Sequence, residues 1–153
     1  MKKNEANLVR AVSWLIFTGY ILALIYFMFF SETYGRTGVE REYCYNLQPF
    51  KEIMRFYKYR RQLGFMAVAT NLFGNVAGFV PFGFILPIIN KKKRRFFSVV
   101  LLSFELSLFI ECAQLIFKVG SFDVDDLLLN TIGGALGYLC FFVCNRVRRK
   151  YYG

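Results

Sequence analysis

Long apolar runs and short polar clusters alternate along this chain, and their spacing predicts its elements. Four runs, at residues 11–30, 66–89, 96–117 and 127–144, are long enough to cross about 30 Å of hydrocarbon as helices rising 1.5 Å per residue. The first, second and fourth carry no charged residue, and the third carries only Glu105 and Glu111. The pattern therefore predicts an all-α membrane protein, a four-transmembrane-helix bundle forming a single domain over residues 1–153. Between the first two spans, residues 31–42 hold Gly35, Gly38 and alternating charge and read as a loop. Asn46-Leu47-Gln48-Pro49-Phe50 and residues 51–62 follow, and they read as a short interfacial amphipathic helix. Phe50, Ile53, Met54 and Tyr57 share one face there, with Lys51, Arg55 and Lys58 elsewhere. Such a helix lies in the headgroup plane, either as a plain anchor or as a lid.

Glycine and proline punctuate two of the spans. Pro81 removes a backbone donor from the second span and predicts a kink or a break there, in a stretch that also holds Gly83 and Pro87. Gly74 and Gly78 form a small-xxx-small face, and Gly133 and Gly137 repeat it in the fourth span beside Gly134. Close packing of the second and fourth spans is the expected result.

The polar positions inside the spans fall at one depth. Ser107, Glu111 and Gln114 are spaced i, i+4, i+7 near the end of the third span, so they share a helical face. Asn71 and Asn75, and again Asp126 and Asn130, are i, i+4 pairs; Asp123, Asp125 and Asp126 fall in the turn between the last two spans. Ionisable groups in hydrocarbon are expensive and mark functional sites by default, which points to a polar pocket of Asn71, Asn75, Ser107, Glu111, Gln114, Asp123, Asp126 and Asn130. The competing reading is a network that only holds helices together, at about 1 kcal/mol per contact. Glu105 lies off this face.

Composition changes the picture little: 56% apolar and 20% aromatic residues fit a membrane domain. A net charge of +10 raises the question of nucleic acid, but the basic residues flank apolar spans without an aromatic platform, so anionic lipid is the expected counter-charge and nucleic acid is not. Twelve Lys and Arg fall on the side of the two termini and eight on the other, which places both termini in the cytoplasm and the polar layer in the outer leaflet. The basic N-terminus before a long first span, without a small-x-small cleavage site, reads as a retained anchor. Cys112, Cys140 and Cys144 fall in spans and Cys44 is a lone outer thiol, with no disulfide framework or metal spacing; Cys140 and Cys144, one helical turn apart, read as small buried hydrophobes rather than a reactive pair.

The chain has no histidine, and no Ser or Cys beside a base, so triad chemistry has no support. Glu111, Asp123 and Asp126 suit a hard cation only in the abstract, since no metal-binding loop accompanies them; no metal or cofactor is expected. Asn75-Val76-Ala77-Gly78-Phe79-Val80-Pro81-Phe82-Gly83, then Ser107-x-x-x-Glu111-x-x-Gln114, then Gly120-x-x-Asp123-x-x-Asp126-x-x-x-Asn130-Thr131-x-Gly133-Gly134, closely resemble the VanZ-like (teicoplanin resistance) family, as does Asn46-Leu47-x-Pro49-Phe50. The resemblance runs from about Asn46 to Tyr138. It implies a small bacterial inner-membrane protein whose family signature falls on Asn75, Glu111, Gln114, Asp123, Asp126 and Asn130. Where this chain has Gly120 and Ser121, many relatives carry an arginine. Two functions follow as expectations. One is an outer-leaflet pocket that binds an amphiphile, either a lipoglycopeptide or a lipid-linked envelope precursor, among membrane lipids. The other is an intramembrane enzyme acting on a lipid headgroup, with Glu111 or Asp126 as acid or base.

Overall fold

The computed structural model describes residues 3–30 and 43–152, so the expected loop at residues 31–42 lies outside the described residues. In chain order the elements are α1 (Lys3–Phe30), β1 (Tyr45–Asn46), α2 (Lys51–Lys58), α3 (Arg60–Leu63), α4 (Phe65–Ile89), a 3₁₀ turn (Lys91–Lys93), α5 (Phe96–Ile116), β2 (Phe122–Asp123) and α6 (Val124–Tyr152). Four helices are long and apolar enough to span a membrane, over Leu8–Phe29, Val68–Ile89, Phe96–Ile116 and Val124–Tyr151. The chain is an all-α membrane bundle.

Several boundaries differ from the sequence expectation. The fourth span starts at Val124 rather than residue 127, so Asp125 and Asp126 sit in the first turn of α6 and only Asp123 precedes it. Acidic side chains favour that turn because the helix N-terminus carries partial positive charge. Residues 51–62 form α2 and α3, separated at Tyr59, instead of one helix. Phe56 docks α2 into the bundle, while Phe50, Met54 and Tyr57 of the expected apolar face remain exposed, as residues that meet lipid would be. Helix α4 runs unbroken through Pro81 and Pro87.

Helices α4 and α6 touch backbone to backbone. A Cβ on Gly83 would overlap the carbonyl oxygen of Gly134, one on Gly133 the carbonyl of Val76, and one on Gly137 the carbonyl of Val80. Gly134 makes the same close approach to the Ser103 side chain of α5. The expected Gly74 and Gly78 face is corrected here. Gly74 has nothing within 4 Å, and Gly78 meets only Leu24 of α1 at 3.9 Å, because these two residues lie off the α6-facing side of α4.

Helix α1 is attached more lightly. Only 6% of its most apolar stretch is buried, against 28–33% for the other three spans. It is held by the Tyr20 hydroxyl donating to the Gly78 carbonyl (2.8 Å), by Phe17 against Phe82, and by Leu24 in a small core with Phe79 and Ile110. All four cysteines are exposed, so Cys140 and Cys144 are outward-facing rather than buried hydrophobes, and Cys112 is outward-facing too. In a membrane such positions are solvated by lipid, which costs a thiol little.

Candidate functional site

At one end of the bundle, where α1 and α5 end and α4 and α6 begin, three devices fix the backbone. Helix α5 stops at a Schellman turn: Val119 N–H donates to the Gln114 carbonyl and Lys118 N–H to that of Leu115, with Lys118 in the left-handed region (φ 53°) usually given to glycine. The chain then enters β2, which pairs in parallel with β1, Tyr45 opposite Phe122 and Asn46 opposite Asp123. This pairing ties the segment before α2 to the start of α6.

The third device is Asp125. Its carboxylate accepts hydrogen bonds from the backbone N–H groups of Phe50, Glu52 (2.8 Å) and Ile53 (3.2 Å), satisfying the first donors of α2 from another element. Phe50 itself sits in the left-handed region (φ 65°), a strained conformation for a bulky residue that these bonds help to hold. Asp123 completes the frame. It accepts from the Asp125 N–H (2.8 Å) and the Asn46 side-chain amide (3.1 Å), and its own N–H donates to Glu111 (3.0 Å). Burial pushes the Asp123 carboxyl above the usual aspartate range, and those two donors only partly offset it; the Asp125 charge adds to the rise and Arg55 opposes it.

These devices border a partly open cavity of about 240 Å³. Of the eight residues expected at a polar pocket, Asn71, Asn75, Glu111, Gln114, Asp123 and Asp126 line it. The Asn75 amide donates to Asp126, and the Gln114 amide reaches the Met28 carbonyl of α1 (2.9 Å). Ser107 and Asn130 do not line the cavity. They are buried one helical turn further along α5 and α6, where the Asn130 amide donates to the Ser107 hydroxyl (2.9 Å) and the Asn130 carbonyl oxygen has no protein partner. Glu105 is exposed on the outer side of α5.

Phe27 and Met28 of α1, and Glu52, Arg55 and Phe56 of α2, complete the lining. Sequence spacing could not mark these, since they come from elements that contribute no polar stripe. Arg55 is paired with Glu52 at 2.6 Å, one turn away on the same helix. The turn holding Gly120 and Ser121 also faces the cavity, so at the place where many relatives carry arginine this wall is uncharged. The lining is thus acidic and rich in acceptors. Among the described residues no three such side chains have the arrangement of a metal site; Glu111 and Asp123 each spend an oxygen on a backbone N–H.

The VanZ/LLP1 family model matches residues 17–145, most of the chain and every wall of this cavity. The chain belongs to the VanZ family. It is also similar to Protein VanZ of Enterococcus faecium, at 30% identity over 129 residues, covering 83% of this chain and 71% of that protein. No solved structure matches. The VanZ match extends the likeness beyond the polar motifs into α1, which supplies the apolar part of the cavity wall through Phe27 and Met28.

Proposed function

We propose that this VanZ-family membrane protein contributes to teicoplanin-type lipoglycopeptide resistance, or to envelope homeostasis, by holding the polar part of an amphiphile in the cavity beneath α2. The observation that carries this reading is the convergence of six polar side chains from α4, α5, β2 and α6 on one partly open cavity with apolar flanks. A polar head satisfied by Asn75, Glu111, Gln114 and Asp126 leaves an acyl tail free to follow Phe27 and Met28 into the bilayer. The acidic lining favours heads that donate hydrogen bonds, such as ammonium, amide or sugar hydroxyl groups, over phosphate. In this reading the protein sits in the bacterial cytoplasmic membrane with the cavity in the outer leaflet and both termini in the cytoplasm; its partners are membrane lipids and either the lipoglycopeptide or a lipid-linked envelope precursor.

The placement of Glu111 and Asp126 on one cavity also supports the second reading, an enzyme acting on a lipid headgroup by carboxylate acid/base chemistry. Expression in a sensitive Gram-positive host, with teicoplanin compared against vancomycin, separates the two. The binding reading predicts selective protection against the acylated drug, partly retained in Glu111→Gln and lost in Asn75→Leu. Loss in Glu111→Gln together with altered membrane lipid composition is the outcome of the enzyme reading. Wild-type protection from Asn75→Leu at normal expression contradicts both.

A further inference from the structure

The opposite end of the bundle carries a basic groove with an apolar wall. It lies between the turn after α4 and the last turns of α6, where Arg94 faces Arg148 and Arg149. Arg94 is half-buried and held in place: its Nε donates to the Pro87 carbonyl (2.8 Å), its guanidinium lies 5.7 Å over the Phe141 ring, and its own carbonyl accepts from the Tyr138 hydroxyl (2.8 Å). Arg148 is likewise oriented, donating from Nη2 to Asn145 (3.1 Å). Between them is a groove of about 220 Å³, polar where Arg94, Arg148 and Asn145 line it and apolar along Phe84, Ile88 and Phe141.

Nothing acidic neutralises this groove among the described residues, whose one salt bridge, Glu52 with Arg55, belongs to the other end. Burial, and after it the like charges of Arg148 and Arg149, make the protonation of Arg94 harder to sustain. Two oriented guanidiniums held near one another, with no acid paired to them among the described residues, make a site for an anion, and their forked donors match phosphate oxygens. We propose that this groove binds the phosphodiester of an anionic membrane lipid between Arg94 and Arg148, with an acyl chain along Phe84, Ile88 and Phe141. The apolar wall is what distinguishes a lipid from free phosphate as the occupant.

The test uses the full chain purified in dodecyl maltoside, with the thermal midpoint followed during titration by dioleoylphosphatidylglycerol, dioleoylphosphatidylcholine or inorganic phosphate. Phosphatidylglycerol is expected to raise the midpoint saturably, at concentrations about tenfold or more below those at which the other two act. Arg148→Gln is expected to raise the half-saturating concentration about tenfold while leaving the lipid-free midpoint in place, and Arg94→Lys to weaken binding by losing the fork but not the charge. Lys92→Gln removes an exposed charge outside the groove and should bind as the parent does. Equal responses to phosphatidylcholine, full reproduction by inorganic phosphate, or equal weakening by Lys92→Gln and Arg148→Gln would each overturn the assignment.

Discussion

Among single residues, Asp125 does the most structural work for its size. One carboxylate takes three N–H groups that α2 cannot satisfy internally, so its removal uncaps a helix 75 residues away in sequence. Asp125→Ala is expected to cost about 1–3 kcal/mol and to release α2 before the bundle melts. Hydrogen exchange at the amides of Phe50, Glu52 and Ile53 reads this directly; unchanged protection there would contradict it. Its neighbour Asp123 predicts a pH dependence. Its carboxyl is raised in the folded chain, so the folded state holds this proton more tightly than the unfolded one. The associated stability is full below the ordinary aspartate pKa of about 4 and is lost as pH rises through the raised folded value. Carboxyl NMR should place the Asp123 midpoint above that ordinary value, and Asp123→Asn should flatten the pH dependence of stability in the same window. The sequence made the polar set legible because Asn71, Asn75, Glu111 and Asp126 sit at helical intervals. Asp125 shares no such interval with its partners, and nothing in its own neighbourhood announces a long-range cap.

At the level of elements, span number and approximate extent follow from hydrophobicity alone, because hydrocarbon thickness imposes one length on every crossing helix. The helix interface was only half readable. Small residues announce close approach, but not which of several glycines faces the neighbour. Gly74 and Gly78 satisfy the small-xxx-small spacing and yet point away from α6, where Gly83 makes the contact. Substitution separates these roles. Gly83→Ala is expected to destabilise by about 1–3 kcal/mol through overlap with the Gly134 backbone, whereas Gly74→Ala enters open space and should be neutral or stabilising by up to about 1 kcal/mol. Thermal midpoints of the two variants in the same detergent decide the matter, and equal midpoints would refute the assigned interface. In the surface helix the exposed apolar face was legible from spacing, but the burial of Phe56 was not, because it lies under a bundle whose position residues 51–62 alone do not encode.

For the molecule as a whole, charge is distributed end to end. The acidic cavity occupies one end of the bundle and the arginine groove the other. The proposed orientation, with the basic end in the cytoplasm, requires that Cys44, exposed beside β1 at the cavity end, face outward. A membrane-impermeant maleimide should therefore label Cys44 in intact cells carrying a variant that retains only that cysteine, and a single cysteine placed at Lys92 should react only after permeabilisation. The reverse pattern would invert the orientation.

The unequal attachment of the helices has a mechanical consequence. With α4 and α6 locked by touching backbones and α5 fastened to both, thermal motion must concentrate along the seams of α1, which is held by the Tyr20 hydroxyl, the Gln114 amide on the Met28 carbonyl and a few apolar side chains. A hydrophobic tail arriving sideways from the lipid would meet rigid walls on three sides and a yielding post on the fourth.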